Sequence, residues 1–178
     1  REDVSRSARD DIPEDYLLLN KEDGARVGVQ WNVVAAIGKR ETDHGRSTLP
    51  GVRSGTNYAG AAGPMQFLIS TWGGKPRIDV RSETVNGYAS DGDGDGIADV
   101  YNPADAILGA ARMLKRNGAP DDLRRAIFAY NHATWYVDQV LEIARRYAAS
   151  GDVATPPESN PMCDPAFLDG VESRLVAK

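Results

Sequence analysis

Trp31-Asn-Val-Val-Ala-Ala-Ile-Gly-Lys-Arg-Glu-Thr-Asp-His-Gly45 is the stretch whose periodicity decides the fold. It opens on the chain's best apolar run, Trp31 to Gly38, and then turns sharply polar. Val34, Ile37 and Glu41 stand at i, i+3 and i+7, so one helical stripe leads from core positions into a carboxylate. The spacing predicts a helix from Trp31 to Asp43, stopped before Gly45. A Glu at the end of a buried stripe loses solvation when ionised, which raises its pKa and holds its proton near neutrality. A general acid needs that condition. The competing reading is a charged helix end formed with Lys39 and Arg40. Asp43 lies about 200° around the helix from Glu41 and is expected to face away as a surface acid. His44 either flanks Glu41 or sits among the helix-end carbonyls.

Outward from this segment the helical signals continue. Asp11-Ile12-Pro13 predicts an earlier helix running to about Arg26, with Pro near the start where its missing N–H does no harm. Downstream, a Gly-rich stretch from Gly45 to Gly63 precedes an expected short helix over Pro64 to Trp72. Residues 73–101 hold no sustained period. Asn102-Pro103-Ala104-Asp105 reads as a helix start, with Ile107, Ala110, Ala111 and Leu114 on one stripe and a stop at Asn117-Gly118. Leu123, Ala126, Ile127 and Tyr130 mark the next helix, starting near Asp121. Thr134 is the expected cap of the last, which places Val137, Val140, Leu141 and Ala144 inward. Strand-type alternation is nearly absent. The expectation is a mainly α domain over 1–151 and an irregular tail over 152–178, with Pro156, Pro157, Pro161 and Pro165 and a short helix over Phe167 to Val176.

Composition narrows the function classes. With 178 residues the chain is about one domain long. It is 41% hydrophobic and 26% charged, with a mean hydropathy of −0.45, the balance of a soluble domain. No apolar run approaches the ~20 residues of a membrane span. Twenty-one Lys and Arg against 26 Asp and Glu give a net charge of −5, which disfavours a nucleic-acid partner held by backbone electrostatics. A single cysteine, Cys163, excludes an internal disulfide framework and a cysteine zinc site. Two histidines, His44 and His132, are too few for a multi-His centre. The first residue is Arg1 rather than Met, so the expectation is a trimmed or processed chain whose export signal would lie upstream.

The aperiodic region contains Asp91-Gly-Asp93-Gly-Asp95-Gly96-Ile97-Ala-Asp99-Val-Tyr-Asn102, which fits a twelve-residue calcium loop. Asp91, Asp93 and Asp95 occupy positions 1, 3 and 5. Gly96 takes the sharp turn at position 6, Ile97 offers a carbonyl at 7, and Asp99 stands at 9. Asn102 at position 12 cannot supply a bidentate carboxylate, so weak, extracellular-range affinity is expected. Asp105 is an auxiliary ligand or, more simply, a helix cap. The loop is single, which favours a structural Ca2+ over a sensor pair. Otherwise it is a solvated acidic turn.

Three motifs occur in order: Val34 to Arg46 (VAAIGKRETDHGR), Asn57-Tyr-Ala-Gly-Ala-Ala-Gly-Pro-Met-Gln66-Phe67, and Ala129-Tyr130-Asn131-His132. With the Asp/Gly loop just before Asn-Pro-Ala-Asp-Ala-Ile, the chain resembles lytic murein transglycosylases of the lysozyme-like superfamily. It is most similar to the membrane-bound lytic transglycosylase B branch and its actinobacterial relatives, over about residues 12–147. The resemblance implies a lysozyme-like fold and a catalytic Glu41. That Glu would protonate the oxygen between N-acetylmuramic acid and N-acetylglucosamine. It would then take a proton from the muramoyl C6 hydroxyl as this closes a 1,6-anhydro ring. It further implies substrate contacts from Asn57, Tyr58, Gln66, Tyr130, Asn131 and Tyr136, with Met65 and Phe67 as cleft wall or core. Tyr130 would stand near the acid. Asn57 departs from the Ser often found beside the catalytic Glu.

A lone acid agrees with this chemistry, because ordinary glycoside hydrolysis uses two carboxylates and an internal nucleophile needs only one. The resemblance thus implies peptidoglycan as partner, an extracytoplasmic site of action, a monomer and no organic cofactor. Two other readings stay open. A hydrolytic muramidase would recruit Asp79 or Glu83 to position water, and a non-catalytic module would bind glycan with calcium as a structural ion.

Overall fold

The computed structural model describes residues 7–150. The expected tail over 152–178, including Cys163, lies outside the described residues. The described chain is mainly helical: α1 (Ala8–Asp11), α2 (Glu14–Val27), α3 (Trp31–Thr42), β1 (Ala61–Ala62), β2 (Phe67–Leu68), α4 (Ile69–Trp72), β3 (Arg77–Asp79), β4 (Ile97–Asp99), α5 (Pro103–Arg116), α6 (Leu123–Tyr130) and α7 (Thr134–Ala149).

Helix α3 is the central element. Val33 to Gly38 are all buried, and Val34, Ala35, Ala36 and Ile37 are fully shielded. It packs chiefly against α7 and α2, while α2 also lies along α5. Ile107, Ala110, Ala111 and Leu114 on α5, Ala126 and Ile127 on α6, and Val137, Val140 and Ala144 on α7 complete the core, as their helical spacing predicts.

The expected first helix is α2, Glu14–Val27, and a one-turn helix, α1, precedes it. Ser7 caps α1 by accepting the Asp10 N–H at 3.2 Å. Pro13 then forces Ile12 into extended backbone, so α2 starts afresh at Glu14. The expected helix over Pro64 to Trp72 is corrected more strongly. Gly63 and Gln66 adopt left-handed backbone and reverse the chain into an antiparallel ribbon, Ala61 opposite Leu68 and Ala62 opposite Phe67. Only Ile69–Trp72 is helical. A second ribbon pairs Arg77 with Asp99, Ile78 with Ala98 and Asp79 with Ile97. Each is too short to leave an alternating pattern in the sequence. The cap of α7 is Ala133, without a side-chain bond, and Thr134 is the first helical residue.

One contact fixes the Gly-rich loop against the acidic segment. A Cβ built on Gly63 would lie 1.9 Å from the Val100 carbonyl oxygen, and Gly63 has φ +80°. Gly60 has a similar φ, +82°, and open space around it. Gly63→Ala therefore adds a steric clash to the strain that Gly60→Ala incurs alone. The first is expected to lower stability by about 1–3 kcal/mol more than the second, read as the difference in thermal or denaturant midpoint.

Candidate functional site

The end of α3 is held from three directions. The buried Thr42 hydroxyl donates to the Pro64 carbonyl at 2.6 Å and accepts the Gly45 N–H at 2.9 Å, tying the helix terminus to the Gly-rich loop. Asp43 and His44 follow in left-handed backbone, and the His44 N–H returns to the Gly38 carbonyl. Glu41 and Asp43 lie in different surroundings, as expected, but the reason is this reversal, since Asp43 stands beyond the last helical residue, Thr42.

Asp43 lies in a charged cluster, with Lys39 Nζ at 2.8 Å and Arg46 Nη2 at 2.7 Å; Lys39 also pairs with Asp11 at 2.9 Å. Partial burial would raise the Asp43 carboxyl, but bonds from Arg46 and Lys39 hold it down at about 2. His44 does not flank Glu41 by any hydrogen bond; it is buried with Nε2 2.9 Å from the Tyr147 hydroxyl. The single Tyr147 proton goes to Asp11 Oδ2, because a carboxylate only accepts. The imidazole therefore carries its proton on Nε2 and donates to the Tyr147 oxygen, leaving Nδ1 buried without a partner. Burial pushes His44 down to about 4, so the ring is neutral near pH 7.

Glu41, half-buried on the other side, accepts a 2.7 Å hydrogen bond from the Tyr136 hydroxyl of α7. Burial raises its pKa, partly countered by that bond and by the charge of Arg40. Tyr136 is only 2% exposed and is held protonated by burial and by the Glu41 charge. Tyr130 feels the same charge, but its hydroxyl donates to the Met65 carbonyl at 2.5 Å. The phenol bonded to the acid is thus that of Tyr136.

The remaining expected substrate contacts are scattered in role. Asn57 Nδ2 donates to Gln66 Oε1 at 3.2 Å, while Asn57 Oδ1 accepts the N–H groups of Ala59 and Ala61. Gln66 Nε2 donates to the Gly63 carbonyl, so this amide pair braces the Gly-rich turn. Asn57 makes no hydrogen bond to Glu41. Met65 and Phe67 are 1% and 2% exposed, and their side chains are core, not cleft wall. Phe67 packs on Trp72 and Tyr130 at ring separations of 5.1 and 5.8 Å. Tyr58 stands fully in solvent, and Asn131 is exposed at the end of α6. Asp79 and Glu83 belong to the β3 turn: Glu83 accepts the Asp79 N–H and pairs with Lys75, and Asp79 accepts the Arg81 N–H.

In the acidic loop, Asp91 accepts the N–H groups of Gly94, Asp95 and Gly96, and Gly96 has φ +88°, as a sharp sixth position requires. Asn102 spends its amide on Asp93 Oδ2, at 2.8 Å, and on capping α5 through the Ala104 N–H. Asp105 is fully buried but does not cap its own helix. Its two oxygens accept from Gly92 at 2.7 Å and Asp99 at 2.9 Å, which places it inside the loop. Asp91, Asp93 and Asp105 offer oxygens all within 4.8 Å of one another, a set that could hold a metal ion. Burial, with the charges of Asp93 and Asp91, pushes Asp105 up to about 6. Asp95 and Asp99 are outside this set: Asp95 accepts the Ile97 N–H, and Asp99 pairs with Arg77 at 3.4 Å. Ile97 lies in β4.

Thr42, Asp105 and the Tyr136 contact carry more of this geometry than their motifs disclose. Tyr136→Phe removes a donor to the ionised carboxyl. The Glu41 titration is therefore expected to move to higher pH, as followed by NMR of the side-chain carboxyl carbon; an unchanged midpoint would show that the bond does not set it.

Comparison with protein-family models, curated proteins and solved structures gives no match to this chain.

Proposed function

We propose that the chain is a peptidoglycan lytic transglycosylase of lysozyme-like fold that cleaves the bond between N-acetylmuramic acid and N-acetylglucosamine with Glu41 as its single acid/base. The observation that carries this reading is the state of the Glu41 carboxyl. It is desolvated enough to favour its proton, yet partly open, and its hydrogen bond comes from a phenol that cannot compete for that proton. Among the described residues no second carboxylate is bonded to it. Asp43 is neutralised by Lys39 and Arg46, and Asp79 and Glu83 are engaged with Arg81 and Lys75.

Protonated Glu41 gives its proton to the glycosidic oxygen, and the bond to the muramoyl C1 breaks with oxocarbenium character. The carboxylate then removes the proton of that sugar's C6 hydroxyl as its oxygen closes on C1. The reacting hydroxyl is already attached to the electrophile, so proximity replaces a positioned water. Murein lies outside the cytoplasmic membrane, and action there is part of the proposal. No helix among the described residues is long and apolar enough to cross a membrane.

Digested murein is expected to yield fragments with 1,6-anhydro ends, one water lighter than hydrolytic fragments by mass spectrometry. Reducing ends alone would replace this reading with a muramidase. Glu41→Gln is expected to lower the rate by roughly a hundredfold or more. A Glu41→Gln protein that clears walls like the parent would leave only glycan binding. In the parent, activity is expected to fall as pH rises through the raised Glu41 pKa, since the proton donor is then lost.

The proposal extends to a structural Ca2+ in the Asp91–Asn102 loop, supported by the three converging carboxylates. Burial is the main cause of the raised Asp105 carboxyl, and a bound divalent ion would relieve the repulsion from Asp93 and Asp91 that adds to it. Millimolar Ca2+ is expected to raise the melting temperature, by an amount equivalent to about 2.7 kcal/mol at a hundred times the dissociation constant, and a chelator to reverse it. The rise is expected to disappear in Asp91→Asn. An unchanged melting temperature in the parent rejects the ion.

A further inference from the structure

We propose that Trp135 is a sugar-stacking platform beside Glu41, taking the face of a β-1,4-linked N-acetylhexosamine ring; this rests on the function proposed above. Trp135 is 54% exposed although it is the first-turn neighbour of the buried Tyr136. Its ring meets that of Tyr136 edge-on at 6.1 Å, and the Tyr136 hydroxyl is the group that holds Glu41. The indole is thus one aromatic ring removed from the proposed acid.

Its orientation is set from the α3 side. The Arg40 guanidinium lies 5.3 Å from the Trp135 ring centre, and Arg40 Nε donates to Gln139 Oε1 at 2.7 Å. An arginine fixed at its own end restrains the indole plane, so less side-chain freedom is lost on binding. Phe128, near the end of α6, is also exposed, at 45%, and is stacked on His132 at 5.1 Å and 16°.

The chemistry fits a sugar. A β-linked hexosamine directs its hydroxyls outward around the ring and its axial C–H bonds toward the faces. Those polarised C–H groups meet the negative face of an aromatic ring, and the contact removes apolar area from water. The net charge of −5 offers no general attraction to an anionic polymer, so neutral stacking is a suitable source of affinity.

The test uses full-length Glu41→Gln protein, which keeps glycan uncut, and peptide-free glycan strands from murein. Trp72 is fully buried, and the difference in emission between this protein and its Trp135→Phe derivative isolates the exposed indole. Glycan is expected to shield that indole from iodide. Trp135→Ala is expected to weaken glycan binding about tenfold, with Trp135→Phe recovering most of it and the melting temperature unchanged. Equal binding by Trp135→Ala, or undiminished iodide access with glycan bound, overturns the platform. So does an absence of glycan binding in the parent, and so does shielding that follows protein concentration without glycan, which would identify a contact between copies. Shielded Trp135 in a protein whose wild-type form leaves murein intact would uphold the platform and reject the enzyme. Cleaved murein with unaltered Trp135→Ala binding would do the reverse.

Discussion

Six consecutive buried residues, Val33 to Gly38, make α3 the element against which the others are placed. A helix shielded on every side cannot rotate without exposing apolar area, so the direction of each residue just beyond the shielded run is fixed by the core. Lys39, Glu41 and Asp43 emerge there, and Thr42 between them is tied down by two hydrogen bonds to the Gly-rich loop. The chemistry at position 41 is a result of this anchoring. Its carboxyl is half-sheltered because the helix delivers it to α7 and Tyr136, while two residues later the chain meets Lys39 and Arg46.

The same logic links the two irregular regions. Gly63 admits the Val100 carbonyl so closely that no side chain fits, and Val100 directly precedes the segment that caps α5. The turn that carries Gln66 and the loop that carries Asp91 and Asp93 are thereby packed through backbone. Asp105 adds a second tie, since its carboxylate joins the start of α5 to Gly92 and Asp99.

How much of this was readable in the sequence follows from how local each feature is. The start of α5 was legible because Asn102 and Pro103 act within one turn, and the Asn102 cap is where the pattern puts it. The different surroundings of Glu41 and Asp43 were expected, but from a helical angle that stops short of Asp43, whose direction is set by the left-handed reversal after Thr42. The two ribbons were not legible, for their partners depend on tertiary contact and each strand is two or three residues long. Tyr130 and Tyr136 could not be ranked from motif order, because which phenol reaches position 41 depends on packing across 95 residues. Asp105 reads as a cap by spacing, yet burial turns it inward to the loop. Met65 and Phe67 looked equally suited to wall or core, and only burial separates the two.

The Tyr147 hydroxyl, with one proton to give, has a consequence beyond its own bond. It makes the Asp11–Tyr147–His44 chain directional and leaves the imidazole poorly disposed to accept a charge. Three residues earlier, burial raises the pKa of the Glu41 carboxyl. One helix terminus thus holds an acid and a base both biased toward electrical silence, approached from opposite ends of the pH scale. The charged pairs gather around Asp43, while Glu41 meets α7 through the neutral Tyr136 hydroxyl.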